Sequence, residues 1–113
     1  MLKWQDICGV ADLQPNSGVC ALVSGQQIAI FYLPKTDTVY AIDNYDPFGK
    51  ANVLSRGLIG DIGGQPVVAS PLYKQHFNLQ TGACLEDETV QILAYAIRIA
   101  NGRVEMGLME QQA

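Results

Sequence analysis

Near its C-terminal end the chain reads AYAIRIA, Asn101-Gly102, RVEMGL, and no other stretch restricts the fold as strongly. Asn-Gly between two alternating runs is a hairpin signal with a mechanism: both residues accept positive φ, and the two-residue turn they form matches the twist of the strands it joins. In the first run Tyr95, Ile97 and Ile99 alternate with Ala94, Ala96, Arg98 and Ala100. One face is bulky and the other small or charged, as a half-covered antiparallel strand requires. The same reading extends upstream. IAIFYL at 28 to 33, VYAI at 39 to 42, PVVAS at 66 to 70 and VQILAYAIRI at 90 to 99 are short β-branched or aromatic runs, punctuated by turn chemistry in SGQ at 24 to 26 and PKTD at 34 to 37. No segment carries a long helical period, and DLQPNSG at 12 to 18 reads as a loop with at most a helical turn. The expectation is an all-β fold.

A chain of 113 residues is expected to form one domain, 1–113, around one core. Hydrophobic residues make up 49% and charged residues 16%, which excludes the low hydrophobicity and high charge of a disordered chain. The formal net charge is −4 and the seven Lys and Arg are scattered, so there is no basic stripe to neutralise phosphates and no nucleic-acid partner is expected. The longest apolar stretch, QILAYAIRIA, is shorter than the ~20 residues of a bilayer span and contains Arg98. The start, MLKWQDIC, lacks a basic region followed by an apolar block. A soluble, cytoplasmic protein without membrane attachment is expected. Cys8, Cys20 and Cys84 are odd in number, far apart and without a CxxC pair, which suits a reducing compartment and reads as buried free thiols. Trp4 reads as a core or edge anchor of a first strand, and RVEMGL, taken as an exposed edge, offers self-association.

One region departs from the pattern of short strands. From Asn44 to Gln65, NYDPFGKANVLSRGLIGDIGGQ contains five glycines and no convincing strand, and loops beyond about 12–15 residues are usually functional when ordered. A second loop, SPLYKQHFNLQTG, runs from Ser70 to Gly82, so two loops (about 44–65 and 70–82) flank one short strand. The glycines match neither GxGxxG opening a helix nor GxxxxGK[ST]. Ser70, His76 and Asp46 are the raw material of hydrolysis, yet no GxSxG elbow surrounds Ser70, and His76 reads as structural. With His76 the single histidine and Asp43 and Asp46 the nearby carboxylates, no metal site and no catalytic residue is expected.

The order SGQQIAIFYL, TVYAIDN, a loop with Asp46-Pro47, a long glycine-containing stretch, PVVASPL, FNLQTG, a strand and NGRVEMGL resembles a Rieske domain over nearly the whole chain. That resemblance implies a small β-sandwich with a two-loop subdomain that binds a [2Fe-2S] cluster through Cys-x-His and Cys-x-x-His. Aligned on the prolines, the four ligand positions fall on Asp46, Phe48, Ser70 and Tyr73. A chain with one histidine cannot supply two imidazoles, so the resemblance is to cluster-free relatives. RGLIGDIGGQPVVASPLYKQHFNLQTGACLED and the start LKWQDIC are most similar to the small subunits of assimilatory NADH-dependent nitrite reductases. The resemblance implies a non-redox accessory subunit of nitrate assimilation without a cofactor of its own. Its large partner subunit would carry FAD, an iron–sulfur cluster and sirohaem and reduce nitrite to ammonium. A Rieske-type [2Fe-2S] electron-transfer ferredoxin and a binding module of another oxidoreductase are the alternatives.

Lys50, Arg56 and Lys74 place three of the seven basic residues in these two loops, beside the aromatics Tyr45, Phe48 and Tyr73 and near His76. Aromatic anchors ringed by charge are typical of interface hot spots, so these seven residues form the expected partner interface. The competing reading is that the aromatics fill volume that a cluster would otherwise occupy.

Overall fold

The computed structural model describes residues 2–109. Eleven strands are present among them: β1 (Leu2–Gly9), β2 (Ser17–Val23), β3 (Gln26–Leu33), β4 (Thr38–Asp43), β5 (Tyr45–Asp46), β6 (Ala51–Asn52), β7 (Leu58–Ile62), β8 (Gln65–Ala69), β9 (His76–Asn78), β10 (Ala94–Ala100) and β11 (Arg103–Met109). The helical content is two 3-10 turns, Val10–Asp12 and Leu54–Arg56. No helix of the described residues is long and apolar enough to cross a membrane. The all-β expectation holds.

Six strands make one antiparallel sheet in the order β1-β11-β10-β4-β3-β2, β7-β8-β9 form a three-stranded meander, and β5-β6 a short ladder. The β10–β11 hairpin closes as its sequence requires, with Ala100 opposite Arg103 and both Asn101 (φ 53°) and Gly102 (φ 75°) in the left-handed region. Trp4 on β1 is half-buried under the Arg98 guanidinium, 3.9 Å from its ring centre, an anchor of the sheet edge as expected.

β3 explains how two cores coexist in so small a protein. Along QQIAIFYL, Ile28 and Ile30 face a core shared with Leu13, Val23, Val39, Ala41, Val104 and Met106. The opposite parity, Ala29 and Phe31, faces a second core with Ile42, Leu54, Val68, Phe77, Leu79, Cys84 and Ile92. A strand covered on both faces reads as an unbroken apolar run, and IAIF is one. The second core fastens the β7-β8-β9 meander and the two loops onto the outer face of β3 and β4.

Several expectations are corrected. β7 lies inside the stretch read as lacking a strand; Gly63 (φ 59°) and Gly64 (φ 84°) form its turn into β8, with Ile62 opposite Gln65. Its side chains are largely exposed, so the apolar signal of a core strand is weak there. β2 escaped the sequence reading because it is an edge strand of mostly small residues, paired only with β3. The expected strand at 90 to 99 begins at Ala94: the preceding backbone bonds elsewhere, Ile92 N–H to the Gly82 carbonyl (2.9 Å) and Leu93 N–H to Asp43 Oδ2 (3.3 Å). RVEMGL is no edge, since β1 from the other end of the chain pairs with it, and self-association through that strand is thereby excluded. Cys84 is buried and Cys8 half-buried, but Cys20 is exposed on β2, its thiol 3.5 Å from Gln27 Oε1.

Tyr95 ties β10 to the end of β4, donating from its hydroxyl to Asp43 Oδ1 at 2.5 Å. Burial, then this hydrogen bond and the Asp43 charge, push the phenol well above its ordinary value. A raised folded-state pKa means that the contribution is complete below the unfolded value of about 10 and is lost as pH rises beyond it. Urea midpoints of the protein are therefore expected to fall above pH 10, and Tyr95→Phe, costing about 1 kcal/mol at neutral pH, removes most of that slope. A slope unchanged by the substitution would contradict this role.

Candidate functional site

The two loops repeat one another. Asp46-Pro47-Phe48-Gly49-Lys50 and Ser70-Pro71-Leu72-Tyr73-Lys74 each begin on a fully buried polar residue and end on an exposed lysine. Each closes the same way: Lys50 N–H donates to the Asp46 carbonyl (2.7 Å), and Lys74 N–H to the Ser70 carbonyl (3.1 Å). Within the first loop Asp46 Oδ1 accepts from the Phe48 and Gly49 N–H groups (2.8 and 3.2 Å). Within the second, Ser70 Oγ accepts from Leu72 N–H (3.3 Å). The loops are joined by the remaining valences, Ser70 Oγ donating to Asp46 Oδ2. Burying a carboxylate is tolerable only when its lone pairs are satisfied, and here three donors serve it.

Close approach also holds the loops. A Cβ on Gly49 would overlap the Leu72 side chain, and one on Gly57 would overlap the Ala69 carbonyl, which backbone cannot relieve. Asn44, 2% exposed, anchors the entry to the first loop by accepting from Ser55 N–H (2.7 Å) and donating to Gln27 Oε1 (3.0 Å).

The seven expected interface residues are not one patch. Phe48 turns inward, half-buried, its ring 6.2 Å from Phe77 at a tilt of 47°. Tyr73 is 65% exposed. Tyr45, opposite in parity to Asp46, lines a separate polar cleft of about 310 Å³ with Gln26, Gln27, Asp43 and Asn52. Arg56 and Lys74 flank a smaller cleft of about 240 Å³, walled by Leu58, Ala69 and Pro71. Leu58 (79% exposed) and Leu72 (46%) add apolar surface that the sequence reading passed over; a leucine after Pro71 in a loop was its available sign. His76 is bound by Glu86, which accepts its backbone N–H (2.7 Å) and meets Nδ1 at 2.6 Å. Partial burial raises the Glu86 carboxyl, but these contacts with His76 outweigh it and leave it below its ordinary value. Ser70 therefore donates straight to a carboxylate, with no imidazole between them, and the residues of a hydrolytic triad are not assembled.

Four donors are needed to hold a [2Fe-2S] cluster, and the four aligned positions do not fit one. Phe48 has no donor atom, Tyr73 points to solvent, and Asp46 and Ser70 bond each other. Among the described residues no three His, Cys, Asp or Glu side chains converge as metal ligands.

A strand framework carrying two facing, proline-led loops on a meander is the arrangement of a Rieske-like domain, and residues 3–107 match the family model described as Rieske-like [2Fe-2S] domain. The nitrite reductase (NADH) small subunit of Salmonella typhimurium LT2 is 49% identical over 106 residues, covering 94% of this chain and 98% of that one. The solution structure of Escherichia coli NirD is 45% identical with a TM-score of 0.87, covering 97% of this chain and 100% of that one. The chain belongs to the family of nitrite reductase (NADH) small subunits. It is also 42% identical over 104 residues to part of the Klebsiella oxytoca nitrite reductase [NAD(P)H] large subunit, matching 92% of this chain and 11% of that protein.

Proposed function

We propose that this chain, as one domain, is the accessory small subunit of a cytoplasmic NADH-dependent nitrite reductase and that it acts by contact, docking its two-loop tip on the large subunit without carrying electrons. FAD, the iron–sulfur cluster and sirohaem, and with them the reduction of nitrite to ammonium, belong to that larger chain. The Asp46–Ser70 bond carries this reading, because it joins the two loops at their buried ends and engages with each other two of the four positions that would otherwise hold a redox centre. The Klebsiella large subunit supports it as well: there a domain like this one is part of the same polypeptide as the rest of that subunit.

The test is nitrite-dependent NADH oxidation by the purified large subunit with and without this chain, read beside co-purification. Tyr73→Ala is expected to weaken binding about tenfold or more while moving the melting temperature by less than about 2 °C, since an exposed ring contributes little to folding. Unchanged co-purification would remove the tip from the interface. A brown preparation with an axial EPR signal after reduction would overturn the non-redox reading and restore the ferredoxin alternative.

A further inference from the structure

Among the described residues six non-glycine residues lie in the left-handed region: Asn16, Ser24, Asp37, Lys50, Lys74 and Asn101. Asn and Asp tolerate that region through short side chains that bond locally, and Ser24 sits in a hairpin turn beside Gly25. The two lysines have no such compensation. They occupy equivalent places, the last residue of each proline-led loop, at φ 53° and 62°, where glycine is the unstrained choice. Both are exposed, and neither ammonium has a hydrogen-bond or ionic partner among the described residues, whose ion pairs use Arg98, Arg103 and His76. The turn closures impose this backbone at both positions, yet glycine would adopt it without strain, and neither lysine side chain has a partner inside the protein; keeping lysine there points to a contact outside.

Arg56 shares the surroundings. It lines the same cleft as Lys74, together with Leu58, Ala69 and Pro71, while Lys50 follows Gly49, which lies against Leu72 of the second loop. At about 240 Å³ the cleft is below the usual range for a small-molecule or cofactor site. Its lining is mostly apolar with Arg56 and Lys74 as its charged members, in a protein whose net charge is −4. The fitting occupant has an aliphatic stem and an anionic end, and a cationic end on an anionic body also orients the approach of such a partner.

We propose that Lys50, Arg56 and Lys74 form a cationic clamp that receives an acidic segment of the large subunit, one Asp or Glu side chain entering the Arg56–Lys74 cleft and its neighbours meeting Lys50, with Leu58, Leu72 and Tyr73 as the apolar rim. The clamp rests on the reading that the two-loop tip is the docking face, and it adds the chemistry of what docks there. It makes opposite predictions for stability and for binding at the same residues: each lysine is worse than glycine for the fold and better for the complex.

The experiment measures affinity for the purified large subunit from 50 to 500 mM NaCl, together with the melting temperature of each full-length variant. Lys50→Gly/Lys74→Gly is expected to melt higher, by roughly 4 °C or more, and to bind at least tenfold more weakly at 50 mM NaCl. Arg56→Gln is expected to bind similarly weakly, with Arg56→Lys recovering part of the loss, and the salt dependence of the wild type is expected to flatten in Lys50→Gly/Arg56→Gln/Lys74→Gly. Lys35→Gln, on the β3–β4 turn outside the two loops, serves as the charge-matched control and is expected to bind as the wild type does. If the lysine and arginine variants bind normally while Tyr73→Ala does not, the clamp is wrong and the docking face stands. If Tyr73→Ala also binds normally, both fall. A double glycine variant that melts lower than the wild type would overturn the strain argument on which the clamp depends.

Discussion

Asp46→Ala is expected to destabilise the protein by about 3 kcal/mol, read from denaturant unfolding at neutral pH. The carboxylate is fully buried and collects the Phe48 and Gly49 N–H groups and the Ser70 hydroxyl, so its removal orphans three donors at once. An unsatisfied buried donor costs about 1–3 kcal/mol, and water entering the space left by the side chain recovers part of that. Asp46→Asn retains an acceptor for the two backbone groups and is expected to cost about 1 kcal/mol. The pair itself is isolated by a double-mutant cycle with Ser70→Ala, where a coupling above about 1 kcal/mol is expected for groups in one network. Additive losses would mean that the loops are held by backbone alone. Because the same bond closes the tip, Asp46→Ala should also weaken association with the large subunit beyond what the unfolded fraction explains.

Phe77→Ala has the larger expected effect on stability, about 4 kcal/mol. Phe77 lies fully buried on β9, opposite Val68 of β8, bridged to Cys84 and in ring contact with Phe48. It is therefore the side chain through which the meander and the first loop share a core. Truncating it leaves a cavity that β8 and β9, paired on both sides of the contact, cannot collapse to fill. Phe48→Ala removes only a half-buried ring and should cost about 1–2 kcal/mol. Hydrogen exchange is expected to show where the difference goes. In Phe77→Ala the amides of Phe48, Gly49, Lys50 and Lys74 should lose protection before those of β3 and β4, whose other face is packed by a separate core. Loss of protection at the same rate throughout would show that the two cores unfold as one.

Phe48 and Tyr73, which the sequence presents alike as aromatics of two proline-led loops, differ in the fold. Phe48 packs inward as filler against Phe77, while Tyr73 stands in solvent. Parity along β5 likewise sends Tyr45 to a different cleft from the one that Arg56 and Lys74 flank. His76, six residues after Ser70, is taken by Glu86, a partner ten residues further along the chain. Sequence proximity marks the loops as a unit but carries no information on which way each side chain faces.

What the sequence determined alone was whatever depends on local chemistry or on counting. Asn101-Gly102 and Ser24-Gly25 impose their turns by backbone preference, the alternation in AYAIRIA assigns the faces of β10, and one histidine in 113 residues cannot supply a pair of imidazole ligands. What only the tertiary structure decided depends on contacts between residues far apart in the chain. The pairing of β1 with β11 turned a supposed edge into an interior strand, and the meeting of Asp46 with Ser70 made a closed loop pair from two separate ones. The matched left-handed lysines belong here too, because a turn of that shape is fixed by where its ends are held and not by the residue at its tip.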